Sequence, residues 1–263
     1  MAGERRAWTR DELLVAFGLY CRTPFGRLHR NNPDIIALAG ALSRTPSSLA
    51  MKLCNFASLD PLHQARDVSG LSNASAADRT VFAEFDEDWE GLATESEEAR
   101  QRLGLRATAD AEEAEEAEEA AEAIAHSGPT EDQRVVRTRR AQGLFRAAVL
   151  ASYDYTCAIS GISVPALIQA SHIIPWSVSE GRRLDPRNGI ALSTLHDRAF
   201  DRGLITLDED LRVVISGRLR TGNPSPIHRE ALLAIEGRPI RLPTRYRPDA
   251  EAMAYHRERV FVG

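Results

Sequence analysis

At 263 residues the chain has room for one large or two small domains, and its 43% hydrophobic and 27% charged content is that of an ordinary globular protein. No apolar run reaches the ~18 residues of a membrane span, and Met1-Ala2-Gly3-Glu4-Arg5-Arg6 lacks a signal-peptide core, so a cytoplasmic protein without a membrane partner is expected. Three scattered cysteines, Cys21, Cys54 and Cys157, do not read as a disulfide framework. The net charge of -5 is unevenly spread: +3 over residues 1–73, -13 over 74–128 and +5 over 129–263. Contact with nucleic acid is electrostatically plausible at the two basic ends.

In chain order, residues 1–61 read as a small helical domain within a segment bounded at 1–73. Thr9 with Glu12 forms a capping box, followed by Leu13, Leu14, Phe17 and Tyr20 at helical spacing. Pro33 opens a second helix, and Thr45-Pro46 caps and opens a third that carries Leu49, Leu53 and Phe56. The short link Ser43-Arg44 and the Trp8-Thr9 opening resemble a Myb-like or helix-turn-helix module. That resemblance implies a third helix lying in the major groove. Its outward residues would be Ser47, Ser48, Met51, Lys52 and Asn55, with Arg44 near phosphate. The other reading is a three-helix bundle that only docks on the rest of the protein.

Residues 74–128 read as an acidic linker region. Asp110–Glu122 is nearly all Ala and Glu, good helix formers whose like charges repel at i,i+3 and i,i+4. With nothing large and apolar to bury, it reads as a solvated tether, or else as an acidic arm that covers the basic ends. Trp89, Phe82 and Phe85 suggest that part of the segment before it packs on something.

Residues 129–263 begin with a basic helical pattern, Arg134, Arg137, Arg139, Arg140 and Arg146, over Thr130–Ser152. A strand is predicted at Leu167–Ile173, a hairpin from Leu204–Leu207 and Leu211–Ile215, a helix at Ser225–Ile235, a short strand at Ile240–Leu242 and a last helix at Pro248–Arg259. Between strand and hairpin lie Ala170-Ser171-His172-Ile173-Ile174-Pro175-Trp176, then Asn188-Gly189, then Leu195-His196-Asp197-Arg198-Ala199-Phe200-Asp201-Arg202-Gly203.

The order and spacing of that histidine, asparagine and second histidine resemble the HNH (ββα-metal) nuclease motif. The resemblance implies an α+β protein: a C-terminal ββα-metal nuclease domain plus a small all-α N-terminal domain. It implies hydrolysis of phosphodiesters in DNA with a divalent cation, Mg²⁺ or Mn²⁺, in a restriction or defence setting, by a chain that could form a homodimer. His172 would be the general base, Asn188 the residue that ties the connecting loop, and His196 a metal ligand. Many members carry Asp or His before the base, where this chain has Ser171, a poor ligand for a hard cation. Asp201 is the first candidate to share the ion and Asp197 the second, although five residues from His196 to Asp201 is off-face on a helix. Arg198 and Arg202 either grip phosphate oxygens or form a solvated face. Relatives often add a zinc knuckle of two C-x-x-C pairs; Cys157-Ala158-Ile159-Ser160 keeps one cysteine and Ala191–Leu195 has none, so a structural zinc is not expected. The alternative is a DNA-binding or regulatory protein whose nuclease site has decayed at Ser171.

Overall fold

The computed structural model describes residues 6–64, 74–105 and 142–263. The tether at Asp110–Glu122 and the arginines Arg134, Arg137, Arg139 and Arg140 lie outside the described residues. The chain divides into two compact units, Met1–Leu144 and Phe145–Gly263.

Regular structure in the described part of the first unit is helical: α1 Arg10–Arg22, α2 Pro33–Ala41, α3 Pro46–Ala57, α4 Pro61–Gln64, α5 Ala76–Glu87 and α6 Trp89–Arg102. The starts follow local chemistry. Thr9 and Glu12 form the reciprocal capping box of α1, and Asn32 and Thr45 cap α2 and α3 ahead of proline. Every residue of α1 from Glu12 to Cys21 is buried, and a helix apolar on all sides needs partners all round. Helices α3, α5 and α6 supply them. Phe17 of α1 stacks on Phe85 of α5 at 4.3 Å and meets Phe56 of α3 edge-on at 5.0 Å. The helical packing therefore continues past residue 73, where an acidic linker was expected to begin. Asp86 and Glu87 of α5 and Glu90 and Glu98 of α6 are exposed, while Val81, Phe85, Trp89 and Leu92 turn inward and Asp78 is buried.

Two buried ionic contacts fix the α3 side of this unit. Arg44 bonds to Glu12 at 2.8 Å and lies over the Trp8 ring at 3.9 Å. The ammonium of Lys52 donates to Asp78 Oδ1 at 2.6 Å, and Asp78 Oδ2 accepts from the Ser75 backbone as part of the α5 capping box.

A helix over 142–152, here α7, leads into the second unit, which continues with β1 Ile168–His172, β2 Gly189–Ser193, α8 Thr194–Asp201, β3 Ile205–Leu207 and β4 Val213–Ile215. Helix α9 Pro226–His228 runs on as a π-turn to Leu233, and α10 Ala250–Tyr255 as another to Val260. Strands β1 and β2 are antiparallel, with His172 opposite Gly189 and Ile168 opposite Ser193, and α8 packs across both. Gly189 is a contact requirement: a Cβ there would stand 2.4 Å from Val149 and 3.0 Å from Phe145, both on α7. The predicted hairpin forms as β3 and β4, but Ile240–Leu242 is no strand. A lone bridge pairs Arg212 with Pro239, and the Arg241 backbone turns away to donate to Ala158.

The C-terminal segment braces the end of α8. Gly203 has φ +64°, and a Cβ on it would stand 2.0 Å from the Val260 carbonyl oxygen. His256 stacks on Phe200 at 3.7 Å, donates from Nε2 to the Phe200 carbonyl and accepts at Nδ1 from Thr206. Burial pushes its pKa down to about 4. Among the described residues no helix is long and apolar enough to cross a membrane.

Asp78→Asn strands the buried Lys52 ammonium, so urea unfolding should show a loss of about 3–5 kcal/mol. The second consequence concerns pH. The unfolded chain protonates His256 near the ordinary ~6.5 whereas the folded chain resists it, so stability is complete above pH ~6.5 and declines as pH falls towards 4. That decline, up to about 3 kcal/mol, should be absent from His256→Gln in the same thermal-unfolding series.

Candidate active site

The loop between β1 and β2 is closed by one side chain. Asn188 is 3% exposed; its Oδ1 accepts from the Ile174 backbone at 2.8 Å, and its Nδ2 donates to the carbonyls of Ile174 at 3.2 Å and Arg182 at 3.1 Å. An amide suits this place because it alone offers an acceptor and two donors within one short planar group. Arg182 then anchors the loop outward, bonding to Asp249 and Glu251 at 2.6 Å each.

The loop so held presents the Arg183 carbonyl to His172, whose Nε2 lies 2.9 Å from that oxygen. A carbonyl can only accept, so Nε2 carries the proton and Nδ1 of the neutral ring is left with its lone pair. The ring stacks on Phe145 at 4.2 Å and meets Trp176 edge-on at 5.6 Å, which leaves it little freedom to turn. Burial pushes the His172 pKa down, more than the Arg183 carbonyl and the Asp197 charge push it up. The residue is thus held neutral and singly oriented, as a proton acceptor requires.

Helix α8 sets two carboxylates four residues apart on one face, Asp197 half-buried and Asp201 exposed. Burial raises the pKa of both, and the Asp197 charge raises Asp201 further, so the two share a field. Asp197 is steadied by the Ser171 hydroxyl and by the charges of Arg198 and Arg146. Ser171 is 2% exposed; its Oγ completes no hydrogen bond of full geometry among the described residues, although it stands close enough to Asp197 to favour the carboxylate. Ser171, His172, Asp197 and Asp201 are thereby related as one electrostatic group.

His196, expected as a metal ligand, does not join it. The ring is 2% exposed, with Nδ1 2.8 Å from Ser193 Oγ and 3.6 Å from Cys157 Sγ, and Nε2 2.9 Å from the Ala231 carbonyl. Both nitrogens are engaged in the core, so coordination would break buried hydrogen bonds. Burial alone would raise the Cys157 thiol and lower the imidazole. The contact between them and the bonds from Ser160 prevail, holding the thiol at about 6 and the His196 pKa above the ordinary value. The second-choice ligand, Asp197, takes the place beside His172. The signal was in the spacing: Asp201 is five residues from His196 but four from Asp197, and only four shares a face.

The first unit's candidates fare unequally. Arg44, Lys52 and Asn55 are not the outward DNA contacts expected of them. Arg44 is held by Glu12, Lys52 is 7% exposed against Asp78, and Asn55 is 8% exposed with Nδ2 3.4 Å from Asp78. Ser47 is exposed and Ser48 partly so, and in the second unit Arg198 and Arg202 are exposed.

A divalent cation can be weighed against these donors. Two carboxylates and a buried hydroxyl whose bonding is incomplete are hard oxygen groups, the kind that suit Mg²⁺ or Mn²⁺. No set of three His, Cys, Asp or Glu converges among the described residues; Mg²⁺ is commonly held by one or two carboxylates, with waters and substrate phosphate completing its shell. The residues present fit such an ion.

No curated protein matches the chain. Residues 157–208 match the family model described as HNH endonuclease, a stretch that runs from Cys157 through β1, the Asn188-closed loop, β2 and α8 to the end of β3, and so likens this part of the chain to a nuclease domain.

Proposed function

We propose that the protein is a divalent-cation-dependent DNA endonuclease of restriction or defence type. The observation that carries this reading is the fixed tautomer of His172, whose ring lies within the field of Asp197, the carboxylate that also interacts with Ser171 and Asp201. In this reading His172 Nδ1 takes the proton of a water that attacks the scissile phosphorus, and the loop clasp of Asn188 keeps the imidazole aimed. Asp197 and Asp201 would hold Mg²⁺ or Mn²⁺, which would neutralise charge developing on the leaving oxygen. Arg198 and Arg202, exposed on α8, bind phosphate oxygens through their planar forks. Site choice by the first unit, if it operates through α3, falls to Ser47 and Ser48, because Arg44, Lys52 and Asn55 are occupied within the unit. A decayed site is the weaker reading: a carboxylate at Asp197 supplies a hard donor that Ser171 does not.

Incubation of supercoiled plasmid with the full chain and Mg²⁺ or Mn²⁺ tests the activity directly. Nicking or linearisation that EDTA abolishes supports it, and binding without cleavage under every metal refutes it. His172→Ala should lower cleavage by ~10²–10⁴-fold with DNA affinity nearly intact, the usual worth of a general base. Asp197→Asn should weaken Mn²⁺ binding in calorimetric titration and abolish cleavage. Ser171→Asp should tighten the same titration, and unchanged metal affinity in both variants would move the ion elsewhere.

A further inference from the structure

Four residues at the junction of β2 and α8 form a cluster outside the group around His172. Two pairs, each three residues apart, come together there: Cys157 with Ser160, and Ser193 with His196. Cys157 Sγ accepts from the Ser160 backbone at 3.4 Å and lies 3.6 Å from His196 Nδ1, while Ser193 Oγ lies 2.8 Å from that same nitrogen. A tetrahedral zinc with Zn–S ≈ 2.3 Å and Zn–N ≈ 2.0–2.1 Å would hold such a sulfur and nitrogen about 3.5 Å apart. The pair spacing and the sulfur–nitrogen separation are therefore those of a four-ligand knuckle. The donor set is not. Serine hydroxyls are outside the cysteine, histidine and carboxylate ligands that close a zinc site, and Ser193 stands at hydrogen-bond distance from the imidazole.

We infer that Cys157, Ser160, Ser193 and His196 make a metal-free knuckle, in which hydrogen bonds centred on the His196 ring do the work of a structural ion. Through that ring the segment at Cys157, the end of β2 and the Ala231 carbonyl on the π-turn after α9 are joined. The next residue is Asp197, so the cluster fixes the rotation at which α8 offers Asp197 and Asp201 to the site. His196 is a positioning residue. Its effect on cleavage rests on the nuclease reading above, whereas the convergence of the four residues does not.

The full chain carrying Ser160→Cys and Ser193→Cys, titrated with Co²⁺, tests the convergence without any assay of cleavage. The expected result is one Co²⁺ per chain with the visible bands of a tetrahedral thiolate site, absent from the wild type and lost when His196→Ala is added. A double variant that folds but gives no such spectrum would show that the four positions do not meet. A wild-type chain that gives it would show that the knuckle is metal-bound. Positioning is read separately. His196→Ala should lower Mg²⁺-dependent cleavage by ~10–100-fold, as loss of an orienting partner does. The triple variant Ser160→Cys, Ser193→Cys, His196→Cys, loaded with Zn²⁺, should restore it. A triple variant that binds Zn²⁺ and folds yet stays inactive would mean that the His196 ring itself serves the chemistry. If the wild type cleaves no DNA, the nuclease reading falls while the Co²⁺ result still decides the knuckle.

Discussion

Successive residues of α8 have to serve opposite environments. One step along a helix turns a side chain by about 100°, so the residue before a site-facing carboxylate points into the core. His196 fills that inward position with both nitrogens bonded, and Asp197 fills the outward one beside His172. The rest of the second unit follows from keeping this rotation fixed. Phe200 holds the far end of the helix against His256, and Gly203 lets the C-terminal segment close on it where any side chain would collide with the Val260 carbonyl.

The histidine of the site is controlled by backbone more than by charge. A carboxylate partner would have raised its pKa and favoured the imidazolium. A carbonyl from Arg183 selects the tautomer with a weaker push, and burial against Phe145 prevails. That arrangement depends on a loop that stays in place, which explains why Asn188 spends three hydrogen bonds on it and why Arg182 ties it to Asp249 and Glu251. Gly189, opposite His172 in the strand pair, lets α7 approach closely enough to put Phe145 under the ring.

Local signals in the sequence suffice where the cause is local. Thr9 with Glu12, Asn32 before Pro33 and Thr45 before Pro46 cap helices because their oxygens reach backbone amides within three residues. The hairpin around Asp208–Asp210 has the same local origin. What sequence left open was decided by partners far along the chain. Lys52 and Asn55 look like outward polar residues of a helix until Asp78 is brought against them. The acidic composition of α5 and α6 hides the inward faces that α1 requires. His196 and Asp197 are adjacent, and only the arrival of Cys157 and Ala231 shows which one belongs to the core.

His172 is held as a neutral imidazole with its proton on Nε2 and its lone pair on Nδ1. Long-range nitrogen–proton correlation spectra of the full chain, with ring signals assigned by His172→Gln, report the tautomer directly. The Nε2–H form is expected at pH 7, persisting as pH falls below the ordinary histidine value. An Nδ1–H tautomer, or an imidazolium at pH 7, would contradict it.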